Sequence, residues 1–208
     1  MGFVVDMHAH TFPASRCSHM RVPELLSKAS AVGLDGICVT DHNTFSGGRE
    51  ALKLQEAYDI KVFLGIEVDT REGQVLVFGV EEDIPIYLPI FEILDFVHER
   101  GGVVVAAHPF RPLIGLGDLV YEVKLDGIEV LNPKCTPDEN FKAKTAAKIL
   151  KIATTGGSDA HIKERIGTFA TSFEKEIEDE EDLVSAIKEK RCRPIKFLKK
   201  TSKKQYVE

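Results

Sequence analysis

Short apolar runs alternate with amphipathic ones along this chain. Residues 3–8, 36–42, 61–68, 74–80, 103–108, 127–132, 152–155 and 168–173 are apolar and strand-length. Between them, Val22, Leu25, Leu26, Ala29 and Val32 share one face of a helix that Gly33 stops. Further helices are predicted over 49–58, 90–100, 139–150 and 180–191, the last capped by Asp179. A polar turn at 71–73 separates two strands without a helix. Strands alternating with helices imply a mainly parallel sheet covered by helices. Strands apolar on both faces point the same way. About seven such strands predict a closed or nearly closed barrel, with an open doubly wound sheet as the second choice.

The polar residues break this pattern in one place, the ends of the strands. The first strand runs into Asp6-Met7-His8-Ala9-His10, the second into Asp41-His42, and the third carries Glu67. A later strand ends in His108 and another in Asp159-Ala160-His161. Each residue alone has a dull explanation as a turn, a cap or a surface charge. Together they place imidazoles and carboxylates from several strands at the C-terminal face, where an α/β barrel carries its chemistry. His8 and His10 alternate along one strand and share a face. His19, in the loop after the first strand, is a weaker candidate ligand, and His98 reads as a solvated helix residue.

Imidazole and carboxylate without thiolate suit zinc, manganese or iron. Seven or eight candidate ligands exceed the needs of one tetrahedral ion, so two or three ions are expected, with Glu67 as the bridging carboxylate. The four cysteines, Cys17, Cys38, Cys135 and Cys192, have no Cys-x-x-Cys spacing, and Cys38 reads as core.

Composition narrows the class. The chain has 208 residues, 43% hydrophobic and 29% charged, enough for one domain with a full core. Residues 1–198 are expected to form that domain and 199–208 a basic, flexible tail. The net charge of −6 argues against a surface devoted to nucleic acid. No apolar run approaches membrane-spanning length and no secretory signal is visible, which with the cysteine usage fits a cytoplasmic protein.

Five short motifs in order carry a resemblance. Asp6-Met7-His8-Ala9-His10-Thr11, Thr40-Asp41-His42-Asn43, Gly65-Ile66-Glu67-Val68, Ala107-His108-Pro109 and Gly157-Ser158-Asp159-Ala160-His161 resemble the PHP (polymerase and histidinol phosphatase) family over residues 3–173. The resemblance implies a distorted seven-stranded (β/α)7 barrel, a cleft with up to three ions, and phosphoesterase chemistry. By motif, His8, His10, Glu67 and Asp159 would hold a first ion, Glu67 and His108 would serve a second, and His42 and His161 a third. Asp6 and Asp41 would orient imidazoles. Two positions depart from the family pattern. Residues 12–19 lack the acidic residue many relatives have there, so His19 substitutes or the third ion loses a ligand; Gln74 stands where relatives often have histidine.

The activity expected is hydrolysis of a small phosphomonoester or phosphodiester by a hydroxide generated at the metal centre. Asp159 and His161 would belong to the catalytic machinery, and Arg111, three residues after His108, is the best phosphate anchor. Arg16, Lys134 and Arg165 are secondary anchors. A metal-dependent amidohydrolase is the alternative enzyme reading. It calls for a bridging lysine at a strand end, and only Lys134 comes near such a place. A non-catalytic scaffold in a nucleic-acid complex is the third reading. It would predict eroded ligands and a basic surface.

Overall fold

A computed structural model describes residues 2–198 and the strand 205–207. In chain order the elements are β1 (Phe3–Asp6), α1 (Val22–Val32), β2 (Gly36–Val39), α2 (Ser46–Leu54), β3 (Lys61–Asp69), β4 (Gln74–Phe78), α3 (Ile90–Glu99) and β5 (Val103–Ala106). They continue with β6 (Gly127–Leu131), α4 (Pro137–Leu150), β7 (Ala153–Gly156), β8 (Phe169–Phe173), α5 (Glu180–Lys188), β9 (Cys192–Leu198) and β10 (Gln205–Val207). All strands join one sheet in the order β10-β9-β8-β1-β2-β3-β4-β5-β6-β7. The sheet curls until its ends meet. Past the end of β1, Ala9 forms a parallel bridge with Ala160, just beyond β7. The Thr171 hydroxyl of β8 bonds both the amide and the carbonyl of Gly156 on β7.

The architecture is thus a nearly closed α/β barrel, but the count of seven parallel strands needs correction. Among the described residues the sheet contains ten strands, and β4 runs antiparallel to both β3 and β5. The link from β3 to β4 spans only residues 70–73, far short of the dozen or so residues that a parallel crossover needs. Strands β8, β9 and β10 are also antiparallel to their neighbours. Strand β9 was absent from the sequence expectation because Pro194 and the charges Arg193 and Lys196 mask a period-2 pattern. Its Cys192, Ile195 and Phe197 are nevertheless buried. Of the expected tail, residues 199–204 and 208 lie outside the described residues, and Gln205–Val207 pairs with β9.

Local signals account for most boundaries. Gly33 takes a left-handed φ of 85° and closes α1. The Thr136 hydroxyl accepts from Glu139 N, and the Glu139 carboxylate accepts from Thr136 N, so α4 begins two residues earlier than expected, at Pro137. The Asp179 carboxylate accepts from Asp182 N, the expected cap of α5.

Packing sets the height of the site. Val5, Met7, Cys38, Phe63, Leu76, Phe78, Val103 and Val105 fill the barrel interior, with Leu183, Ala186 and Ile187 of α5 packed beneath them. Burying a side chain such as Phe63 or Phe78 contributes roughly 2–3 kcal/mol. Helices α3 and α4 cover one outer side, and α1 covers the other. With the lower barrel filled by hydrocarbon, polar side chains on these strands collect at the opposite mouth.

Candidate metal centre

Glu67 lies at the middle of the cluster. One of its oxygens, Oε1, is 3.0 Å from His108 Nε2 and 3.5 Å from His8 Nε2. The other, Oε2, is 3.0 Å from His42 Nδ1 and 3.5 Å from His10 Nε2. A carboxylate that faces imidazoles with both oxygens has the disposition of a bridge between two cations. Asp159 Oδ1 closes the opposite side, 3.3 Å from His10 Nε2 and 3.8 Å from His8 Nε2. Three overlapping triads result: His8/Glu67/His108, His8/His10/Asp159 and His10/His42/His161. Residues from His8 to His161 therefore converge on one cluster.

Backbone geometry delivers these side chains. His108 and Asp159 sit at strand ends with positive φ, 30° and 46°, a costly conformation for residues with a Cβ. Gly157 lets its segment run against His8 and Glu129, because a Cβ there would collide with the His8 side chain and lie 2.9 Å from Glu129 Oε1. A Cβ at Gly47 would likewise strike the Asp41 carboxylate and the Thr11 hydroxyl.

The electrostatics fit a cation-binding site. Asp6, Asp41, Glu67, Glu129 and Asp159 are all at most 3% exposed, a concentration of carboxylate that needs compensating charge. Burial alone would raise Glu67, but the charge of His8 and hydrogen bonds from His108 and His42 hold its carboxyl well below the usual range. Asp159 is held low in the same way, against its burial, by His8 and His10. Burial pushes His10 down to about 3, so it is a neutral imidazole with a lone pair to give. His8 Nε2 and His10 Nε2 lie 3.0 Å apart, two nitrogens aimed at one point. His108 Nδ1 is a buried ring nitrogen with no hydrogen-bond partner among the described residues. Donor types, burial and convergence all fit divalent transition-metal ions.

The supporting residues differ from expectation. Asp41 accepts from Thr11 N, Thr11 Oγ1 and Ser15 Oγ, and Ser15 Oγ lies 3.4 Å from His10 Nδ1, so its hold on an imidazole is indirect. Asp6 orients no imidazole. It accepts from the amides of His8, Ser158 and Gly167 and so ties β1 to the segment carrying Asp159. Burial raises its carboxyl to about 6, against the lowering effect of those bonds. Glu129, on β6, is the direct orienting group. Its Oε1 is 3.0 Å from His8 Nδ1, and its Oε2 accepts from His108 N and Asn132 Nδ2. A carboxylate inside the apolar run Gly127-Ile128-Glu129-Val130 was the overlooked signal.

The weaker candidates separate. His19 is exposed, belongs to none of the three triads, and meets the site through its backbone N–H to the His161 carbonyl. His98 is not simply solvated, since its Nε2 is 2.8 Å from Asp126 Oδ2. Gln74 donates its amide to Asp69 Oδ1 and belongs to no triad. Arg111 reaches Asp159 Oδ2 at 3.4 Å, and Lys134 Nζ reaches Asp159 Oδ1 at 2.9 Å. Arg16 is exposed, whereas Arg165 lines a cavity of about 440 Å³ beside Lys134, Asp159 and His161.

A nearly closed α/β barrel with a buried imidazole–carboxylate centre at its mouth defines the class. A family model described as PHP-associated matches residues 137–192. The chain is 38% identical over 137 residues to the uncharacterized protein MJ1587 of Methanocaldococcus jannaschii, covering 61% of this chain and 80% of that one. It is 30% identical over 189 residues to MJ0417 of the same organism, also uncharacterized, covering 86% and 74%. Among solved structures, PsfC of Pseudomonas syringae superposes with a TM-score of 0.74 at 22% identity, covering 97% of this chain and 93% of that one. A two-domain protein of Bacteroides vulgatus containing a predicted PHP-like metal-dependent phosphoesterase gives 0.75 at 15% identity, covering 93% and 64%. The lesion-specific endonuclease EndoQ of Pyrococcus furiosus gives 0.71 at 23% identity, covering 91% and 56%. The chain belongs to the PHP family.

Proposed function

We propose that this protein is a metal-dependent phosphoesterase acting on a small phosphomonoester or phosphodiester. The observation that supports the reading is a pair of cationic side chains beside the cluster: Arg111 and Lys134, from the loops that follow β5 and β6, approach the two oxygens of Asp159. A hydrolase site for neutral amides has no need of two added positive side chains, whereas a phosphate does. Bound divalent ions supply water activation and neutralise phosphate charge.

The chain's own residues do the rest. Glu67 and Asp159, kept ionised, and His8, His10, His42 and His108 hold the ions. Glu129 fixes the His8 ring and the His108 backbone. Arg111 and Lys134 meet the phosphoryl oxygens, and the cavity lined by Pro133, Ile162 and Arg165 accepts the leaving alcohol. The net charge of −6 favours a small substrate over a nucleic-acid duplex.

The amidohydrolase reading draws on Lys134, which does reach the cluster, but as a donor to Asp159 and His161 rather than as a bridging ligand. The test is a panel of phosphomonoesters, phosphodiesters, a single-stranded oligonucleotide, amides and lactones, each with manganese, zinc or iron added back. Turnover of a small phosphoester, lost on chelation and in Asp159→Ala, is expected. Turnover of amides or lactones alone would refute the proposal.

A further inference from the structure

Asn132 is wholly buried beside the metal centre, and each of its polar groups makes a hydrogen bond. Its side-chain NH₂ donates to Glu129 Oε2 at 3.0 Å and to Asp159 Oδ2 at 3.3 Å. Its Oδ1 accepts from Lys134 N at 2.9 Å. Its backbone N–H donates to Asn140 Oδ1, and its backbone carbonyl accepts from Asn140 Nδ2, both at 3.0 Å. Two carboxylates on one side and a backbone N–H on the other allow the Asn132 amide one orientation only. The Asn140 amide is fixed in the same way, by one backbone donor and one backbone acceptor.

The strand is built to present this residue. Positions 129 and 132 of a regular strand point to opposite faces. The pairing of β6 with β7 shifts between Glu129 and Leu131, and past that bulge Glu129 and Asn132 meet on the same buried side. Both carboxylates that the NH₂ touches serve the cluster. Glu129 holds the His8 ring and the His108 backbone. Asp159 faces His8 and His10 through Oδ1. Its other oxygen is held by Asn132 and, at 3.4 Å, by Arg111. No apolar side chain could supply these donors, and aspartate would set a third carboxylate against the other two.

We infer that Asn132 is a positioning residue for the metal ligands, and that Asn140 on helix α4 sets it from outside the barrel. The amide of Asn132 fixes Asp159 directly and His8 through Glu129. The bidentate grip of Asn140 holds the Asn132 backbone where its NH₂ can span both carboxylates. This rests on the metal-centre reading above and not on the identity of the substrate.

The test reads zinc affinity by competition with a chromophoric chelator, on full-length protein kept well below the Tm of each variant. Asn132→Leu, nearly the same shape without the donors, is expected to bind zinc about 10–100-fold more weakly. Asn140→Leu touches no proposed ligand, yet it is expected to weaken zinc binding about three- to tenfold, the scale of one neutral hydrogen bond. Asn140→Asp keeps the acceptor for the Asn132 N–H and is expected not to weaken it. A purely structural role would lower Tm and leave the zinc affinity of both folded leucine variants unchanged, and that result would overturn the inference. An Asn140→Asp protein as weak as Asn140→Leu would overturn it too. Should Asn132→Leu fail to fold, the two Asn140 variants decide the matter, since that side chain is only half-buried on α4. A wild type that binds no zinc would refute the metal-centre reading and the inference with it, a result distinct from a wild type that binds zinc no better than its variants. None of these outcomes depends on turnover.

Discussion

Glu129→Gln isolates the residue that positions the metal ligands without touching the ions. The glutamate uses both oxygens, Oε1 for the His8 ring and Oε2 for the His108 amide and the Asn132 side chain. Glutamine has the same shape but only one oxygen. Either its NH₂ faces the donors His108 N and Asn132 Nδ2, or it faces His8 Nδ1. The first leaves buried N–H groups unpaired, at about 1–3 kcal/mol. The second reverses the ring's proton, because Nδ1 must then accept and Nε2 carries the hydrogen that a ligand cannot have. Loss of such an outer hydrogen bond typically lowers metal affinity 10–100-fold, which is about 1.4–2.7 kcal/mol. The two routes thus agree in size. The measurement is a zinc titration against a chromophoric chelator, with far-UV circular dichroism as the folding control. A folded Glu129→Gln protein whose zinc affinity lies within threefold of the wild type would refute the reasoning, since it would mean that His8 needs no orienting carboxylate.

Other perturbations follow from the same geometry. Glu67→Gln removes the oxygen charge that faces four imidazoles and should abolish stoichiometric metal binding, read by elemental analysis. Gly157→Ala forces a methyl against the His8 side chain and should cost about 1–3 kcal/mol, a drop of roughly 2–12 °C in Tm by scanning calorimetry. Asp6 keeps its proton in the folded protein up to about 6, against 3.8 when unfolded. Its contribution to stability is therefore complete below the lower value and is lost as pH rises through the upper one, by up to about 3 kcal/mol. Urea midpoints of wild type and Asp6→Asn measured from pH 4 to 7 should diverge in that direction, and parallel curves would refute it. Metal retention has the opposite dependence. His42 is raised by Glu67, against its burial, so protons compete for it early, and zinc should be released as pH falls through the histidine range. Zinc retained at pH 4 would contradict that.

Much of this protein could be read along one dimension. Apolar runs located the barrel strands because burial on both faces demands hydrocarbon at nearly every position, and the ligand residues stood out because each interrupts such a run at its end. The short polar turn between β3 and β4 permits no crossover, yet the expected (β/α)7 barrel passed over the hairpin it implies. Strand β9 was not readable, because its exposed charges and Pro194 obscure the alternation until β8 is seen beside it.

Partnerships between side chains were settled by three-dimensional packing. Nothing in the order of residues says that Glu129, over a hundred positions away, holds His8, or that Asp6 ties down backbone amides instead of a ring. Nor does it say that Lys134, beyond a proline, turns back to Asp159 and His161 while His19 points outward. Residue type and period record which groups are buried and at which end of a strand they fall, because that is fixed by local periodicity and solvent exclusion. Which donor meets which acceptor depends on the curl of the sheet, which brings β7 back against β1, and that curl is a collective result of all the strands packing at once.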